Sequence, residues 1–133
     1  MSPLPDSEGA LRGWLRAQSD VVALCAQRQY FEMPKQDRPG MPFLLHYRIG
    51  GRPDELGQDY PDFIIEAWGG TKFEACELAR VVVAGINDIA APVHIGDAWV
   101  MGGSVNLGPV PTSGTAWGKR YRIDTSFHIR SAL

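Results

Sequence analysis

The sequence YPDFIIEAWGGTKFEACELARVVVAGINDIA, residues 60–90, predicts one strand, a glycine hinge and one long helix. Apolar and polar residues alternate through its first half, as they do in a strand with one buried face. One side of the extended chain carries Phe63, Ile65 and Ala67, and the other carries Asp62, Ile64 and Glu66. Because Gly69-Gly70 interrupts the alternation, we expect the strand to end there.

The second half of the segment has the features of an amphipathic helix. Thr71 lies where an N-cap belongs, and Glu74 three residues later completes a capping-box pattern. Apolar residues then recur at spacings of three and four, which predicts one stripe packed on a sheet. That stripe contains Phe73, Cys76, Leu78 or Ala79, Val82, Val83 and Ile86.

Length, charge and cysteine content limit the class of protein. A chain of 133 residues is long enough for one domain with its own core, so we expect residues 1–133 to form a single domain. A net charge of −2 does not favour sequence-specific binding to nucleic acid. Cys25 and Cys76 lie in apolar helical patterns typical of buried free thiols, and no apolar run has the length of a membrane span. We therefore expect synthesis in a reducing cytoplasm and no membrane partner.

The remaining elements complete an α+β pattern. Asp6 or Ser7 is predicted to cap a first helix, and Asp20 a short second one. Further strands are predicted at residues 28–32, 42–49, 96–105 and 119–130. The connections at residues 52–59 and 107–117 are expected to be long polar loops, the first of them mobile. The prediction is a mostly antiparallel sheet of about four to five strands, with two main helices packed on one face.

The sheet face away from the helices is expected to be charged. Alternation assigns to it Arg120, Arg122, Asp124, His46, Arg48, Asp62 and Glu66. Such a face can stand in water or form an interface with another subunit, and the pattern leaves both alternatives open.

No motif in the chain predicts catalysis, a cofactor or a metal. His46, His94 and His128 lie far apart and at no ligand spacing, and neither cysteine has a second one nearby. Gly69-Gly70 before a helix is reminiscent of a phosphate loop, but the capping box accounts for Thr71 without a ligand. We therefore expect a protein that is not an enzyme.

Several motifs together resemble a known family. They are Leu11-Arg12-Gly13-Trp14-Leu15, Arg28-Gln29-Tyr30-Phe31, Pro42-Phe43-Leu44, the stretch from Tyr60 to Gly69, Thr71-Lys72 with Glu74-Ala75, and the strand from Arg120 to Thr125. With them the chain resembles, from about residue 8 to residue 130, the tail-terminator or tail-completion proteins of long-tailed phages and phage-like gene transfer particles. The segment at residues 107–117 falls outside the resemblance.

The resemblance implies a structural role in a virion. Members of that family form a ring of about six subunits on the head-proximal end of the tail tube. The ring stops tube polymerisation and offers a docking surface to the head-side connector, or stopper, and DNA passes through it. The implied partners are other copies of the chain, the tube protein and the connector, and the implied location is the tail–neck junction.

The residues that would make these contacts are a hypothesis from the loops and the charged face. We assign to the subunit and tube interface Arg48, Arg52, Asp54, Glu55, Trp117, Lys119, Arg120 and Arg122. Arginine suits such a role because its planar guanidinium binds a carboxylate through two hydrogen bonds. The alternatives are another neck component, such as a head-closure or head–tail joining protein, a small dimeric interaction module, and a small host enzyme.

Overall fold

The structure is a computed structural model that describes residues 4–35, 39–115 and 118–133. Its helices are α1 (Ser7–Arg16), α2 (Ser19–Cys25) and α3 (Lys72–Asn87). Its strands are β1 (Gln29–Tyr30), β2 (Phe43–Pro53), β3 (Gln58–Gly69), β4 (Val93–Ile95), β5 (Ala98–Thr115) and β6 (Gly118–Ser131).

The strands form one sheet in the order β1-β2-β3-β6-β5-β4. Every neighbouring pair is antiparallel except β1 with β2, which is parallel. The predicted α+β class is therefore correct, whereas the sheet has six strands where four to five were expected. The strand expected at residues 28–32 appears as the two-residue β1 at one edge. The additional strand is the three-residue β4 at the other edge, where no strand was predicted.

Side-chain caps begin two of the three helices. Asp6 caps α1 and accepts a hydrogen bond from the Gly9 amide at 3.1 Å. Thr71 caps α3 and accepts from the Glu74 amide at 3.1 Å, while the Glu74 carboxylate accepts from the Gly70 amide at 3.0 Å. The expectation for Asp20 was wrong, because α2 begins at Ser19 and its N-cap residue makes no side-chain bond.

Replacing Thr71 with Ala should lower the free energy of unfolding by about 1 kcal/mol, since it leaves a helix amide without its acceptor. Chemical denaturation followed by circular dichroism measures the difference. The matched control is Ser19→Ala, an exposed serine at the start of α2 that caps nothing. Equal losses in the two variants would contradict the capping role.

The main core lies between one face of the sheet and the helices α1 and α3. It is built from Leu11, Trp14, Leu15, Leu44, Phe63, Ile65, Leu78, Val82, Ile86, Val100, Ile123, Phe127 and Ile129, with smaller residues between them. The alternation predicted for β6 is confirmed by its burial. The predicted faces of β3 are confirmed because Phe63, Ile65 and Ala67 join the main core, although the other face of β3 is buried as well. Phe73 is the exception in the predicted helix stripe, since 77% of it is exposed.

A second, smaller apolar cluster lies on the opposite face of the sheet. Phe43, Leu45 and Trp68 form it, with the rings of Phe43 and Trp68 stacked 5.6 Å apart. Leu45 pairs with Glu66, so both lie on the face away from the helices. Consequently His46 faces the helices, and its predicted place on the charged face was wrong.

The expected loop at residues 107–117 is also corrected. β5 continues to Thr115 and pairs with β6 along its length, with several register shifts. Pro109 and Pro111 are compatible with a strand here because β4 pairs only with residues 98–100, which leaves the rest of β5 as an edge. The end of the predicted segment, including Trp117, lies outside the described residues.

The connection between β2 and β3 is shorter and more ordered than expected. The ladder continues to the pair Pro53 and Asp59, so only residues 54–57 turn the chain. The Asp54 carboxylate accepts hydrogen bonds from the amides of Leu56 and Gln58 at 2.8 and 3.2 Å. Gly57 completes the turn at φ 76°, a conformation that favours glycine. This tip is therefore fixed by its own hydrogen bonds.

Candidate functional site

One face of the sheet is left uncovered by α1 and α3, and we call it the open face. It carries three separate groups of hydrogen-bonded polar side chains, around Glu66, Arg122 and Ser126. The first group is centred on Glu66 of β3, a carboxylate that is only 5% exposed. Three donors surround it: the Tyr47 hydroxyl at 2.7 Å, the Trp68 indole N–H at 2.9 Å and the Arg120 guanidinium at 3.1 Å. Glu66 is thus a buried carboxyl group that accepts hydrogen bonds from three side chains of its own chain.

Two of the side chains that bind Glu66 make further interactions of their own. The Arg120 guanidinium lies 5.3 Å from the centre of the Trp68 ring, at cation–π distance. Burial, together with the hydrogen bond to Glu66, raises the pKa of Tyr47 to about 12. Tyr47 therefore stays protonated and donates its hydroxyl proton at every physiological pH.

Two further polar groups extend the open face toward β5. Arg122 binds Asp124 through two hydrogen bonds of 2.7 and 3.1 Å. This hydrogen-bonded carboxylate holds the pKa of Arg122 above its ordinary value. Beyond it, Ser126 donates to Asp62 at 2.7 Å and accepts from Asn106 at 2.7 Å. This last group therefore links β3, β6 and β5.

Arg48 belongs to a different site, on the helix-covered side of the sheet. Its guanidinium binds Asp59 through two hydrogen bonds of 2.6 and 2.8 Å, and the Ser7 hydroxyl donates to the same carboxylate at 2.6 Å. Burial alone would raise the pKa of Asp59, but the hydrogen bonds from Arg48 and Ser7 outweigh it and lower that pKa. This network attaches the start of α1 to the β2–β3 hairpin.

The structure thus sorts the predicted interface residues into separate groups. Arg120 and Arg122 come together on the open face, and each has a carboxylate partner within the chain, as Arg48 has. Arg52, Asp54 and Glu55 lie at the β2–β3 tip. Lys119 lies at the base of the β5–β6 tip, and Trp117 is outside the described residues.

The two hairpin tips point away from each other. Lys119 pairs with Gly69 at one end of β3, whereas Arg130 pairs with Gln58 at the other end. The Thr115–Gly118 end of the β5–β6 hairpin therefore lies near the start of α3, and the β2–β3 tip lies at the far end of the sheet. The chain presents one hairpin end at each end of the sheet, with the open face between them.

Sequence reasoning missed Tyr47 and Trp68 as partners of Glu66. Both are large apolar residues in strands, so their composition suggested packing alone. Trp68 follows Glu66 by two residues on the same strand, so both side chains lie on one face. Tyr47 lies two residues after Leu45, the residue that pairs with Glu66, and only the pairing register of β2 and β3 shows this. That register was not available from the sequence pattern.

The part of the chain that the structure describes holds no cluster of three or more His, Cys, Asp or Glu side chains suited to a metal. His128 contacts the Gln58 amide oxygen at 2.6 Å and stacks on Tyr60, and His94 packs on Trp99. Within the same residues, no helix is both long and apolar enough to cross a membrane.

Comparison with solved structures finds a chain in the virion of the native gene transfer agent (GTA) particle. The two chains superpose with a TM-score of 0.67 at 17% sequence identity, over 95% of this chain and 98% of that chain. No protein-family model matches this sequence, and no curated protein matches it. At this identity the likeness concerns the fold, and the chain shares its fold over nearly its whole length with a GTA virion chain.

Proposed function

We propose that this protein is a structural virion protein that caps the head-proximal end of a phage-like tail tube as a ring of about six subunits. It ends tube polymerisation and provides the docking surface for the head-side connector. The observation that carries the proposal is the fold shared with a GTA virion chain over 95% of this chain. The position within the particle comes from the resemblance of the sequence motifs to tail terminators.

The geometry of the subunit supports a ring with two different sides. A terminator must contact the tube on one side and the connector on the other, while each subunit also contacts its neighbours head to tail. The β2–β3 tip and the Thr115–Gly118 end of the β5–β6 hairpin lie at opposite ends of the sheet, and so provide separate surfaces for the neighbouring subunit and for tube or connector. Between the tips, the open face holds charged side chains in fixed positions, and such pre-ordering reduces the entropy lost on binding.

The proposal is tested by adding the purified protein to polymerising tail-tube protein and measuring tube lengths by electron microscopy. Growth should stop when the protein is added, and labelled protein should lie at one end of each tube. Tubes that lengthen as before, with no labelled end, would refute the terminator role. Binding to purified connector without any effect on tubes would favour a head-closure or joining protein instead.

Replacing Arg122 with Ala should weaken ring assembly about threefold to tenfold while the monomer stays folded. Arg122 lies on the open face in an exposed pair with Asp124, so its loss should change the free energy of unfolding by less than about 1 kcal/mol. Analytical ultracentrifugation across a concentration series measures assembly. Arg120→Ala is a poorer test because it also removes one donor from the buried Glu66.

Lys35→Ala is the control, since Lys35 is an exposed cation in the connection between β1 and β2, outside both the open face and the β2–β3 tip. We expect its assembly to equal that of the unmodified chain. If Arg122→Ala and Lys35→Ala assemble equally well, Arg122 does not take part in the subunit contact.

A further inference from the structure

The β2–β3 tip presents one apolar side chain to solvent. Leu56 is 73% exposed, although the backbone around it is held by the hydrogen bonds to Asp54. The Asp54 amide additionally donates to the Gln58 carbonyl at 2.8 Å. The tip is therefore a fixed projection, which loses little entropy when it binds in a groove.

The outward side of α3 carries an apolar groove of about 450 Å³. The lining residues recur at helical spacing and are Phe73, Cys76, Glu77, Arg80, Val81 and Ala84. Phe73 is 77% exposed, which places a large aromatic side chain at the mouth of the groove with little cover. An aromatic side chain that protrudes beside a groove is a common anchor in protein interfaces.

The tip and the groove cannot meet within one molecule. The tip lies at the Asp59 end of β3, whereas α3 begins just after the Gly69 end. The intervening strand places on the order of 30 Å between the tip and Phe73 at the mouth of the groove. A contact between the two surfaces therefore requires two copies of the chain.

We propose that Leu56 of one subunit inserts into the α3 groove of the next subunit. The contact joins two different surfaces, so it repeats head to tail and forms a ring when the rotation closes. Charge fixes the orientation of this pairing, because exposed Glu55 adjoins Leu56 while the groove carries both Arg80 and Glu77. Glu55 must therefore lie on the Arg80 side of the groove, away from Glu77. Arg80 forms no ion pair among the described residues, so its guanidinium is available to a carboxylate of the neighbour. This inference names the contact within the ring proposed above.

Disulfide trapping tests the contact directly, because Cys76 already lines the groove. Leu56→Cys places a thiol on the tip, and a disulfide forms only if the two Cα atoms approach within about 7 Å. The exposed position makes the variant compatible with folding. Mild oxidation, alone and with tail-tube protein present, should give a ladder of dimers, trimers and larger species up to a closed ring on non-reducing gels.

The double variant Leu56→Cys with Cys76→Ser is the control, and it should give no ladder. A ladder needs two different cysteines per chain, whereas contact between two tips gives dimers only. Dimers that persist in the double variant, or no cross-link under either condition, would overturn the proposal. Cys25 is buried in α2 and serves as an internal thiol that should not react.

A second test uses a variant that retains both native cysteines. Leu56→Asp should raise the dissociation constant of self-association about 10- to 100-fold, which corresponds to the burial of one leucine side chain. Leu107→Asp is the control, since Leu107 is 57% exposed and lies on β5 opposite Asp124, away from both the tip and the groove. Equal dissociation constants for the two variants would also overturn the contact.

The outcomes separate this inference from the proposed function. A disulfide-linked ladder of Leu56→Cys, together with no effect of the protein on tube length, would support the head-to-tail contact and refute the terminator role. Tubes that are capped normally by Leu56→Asp would retain the terminator role and refute the Leu56 contact.

Discussion

Lowering the pH from about 6.5 to about 4 should remove about 3 kcal/mol from the free energy of unfolding through His46 alone. His46 is completely buried on the helix side of β2, and neither ring nitrogen has a hydrogen-bond partner in the structure. Burial, with smaller contributions from Arg12 and Arg16 of α1, lowers its pKa from 6.5 to about 4. Protonation would place an unpaired charge in the core.

Proton uptake determines the direction in which the free energy of unfolding changes with pH. Below pH 6.5 the unfolded chain binds a proton at this imidazole while the folded chain does not, so unfolding becomes more favourable. Above pH 6.5 the neutral His46 makes its full contribution to the free energy of unfolding. Between pH 6.5 and about 4 that free energy falls by about 1.4 kcal/mol per pH unit, and it levels off below the folded pKa of about 4. Urea denaturation at a series of pH values measures this slope.

His46→Leu should abolish the slope attributed to this residue and leave stability at pH 7 equal or higher, since it removes two unpaired polar atoms from the core. His94→Gln is the control, because His94 is exposed and packs only at the edge of the sheet. If His46→Leu keeps the same decline between pH 6.5 and 4 as the unmodified chain, the acid sensitivity has another origin.

Replacing Asp59 with Asn should lower the free energy of unfolding by about 2 to 3 kcal/mol. Its side chain is 5% exposed, and it is the shared acceptor of Arg48 and Ser7. Asn has nearly the same shape but no charge, so the Arg48 guanidinium would lose its counterion. Because the Arg48 side chain is 30% exposed, solvent screens part of its attraction to Asp59. We therefore expect a smaller loss of unfolding free energy than a fully buried ion pair would give.

Asp124→Asn provides a matched comparison, since Asp124 also holds an arginine through two hydrogen bonds. That pair is more exposed, with 43% of the Arg122 side chain and 22% of the Asp124 side chain accessible. We expect a loss below about 1 kcal/mol there. Equal losses in the two variants would show that burial does not determine the strength of these pairs.

The sequence predicted the fold best where local and tertiary preferences agree. The capping box of α3 and the faces of β3 and β6 appear as expected, because each face of these strands has a distinct composition. β2 begins with Phe43, Leu44 and Leu45, and all three are buried. Three consecutive apolar residues do not show which face of β2 packs against the helices. For this reason His46 and Arg48 were predicted on the wrong face.

Long-range pairing accounts for the other errors. The glycines and prolines of residues 107–117 predict a loop when only neighbours in sequence are considered. Pairing with β6 overrides that preference and extends β5 to Thr115. The candidate interface depends on the same kind of information, because which arginines adjoin which carboxylates follows from the register of β3 and β6.

The most direct test of the ring is the solution mass of the purified protein by light scattering, with and without purified tail-tube protein. The proposal predicts a ring of about six subunits once tube is present, whether the ring forms then or exists beforehand. A strict dimer whose mass tube protein does not change would contradict it and favour a small interaction module.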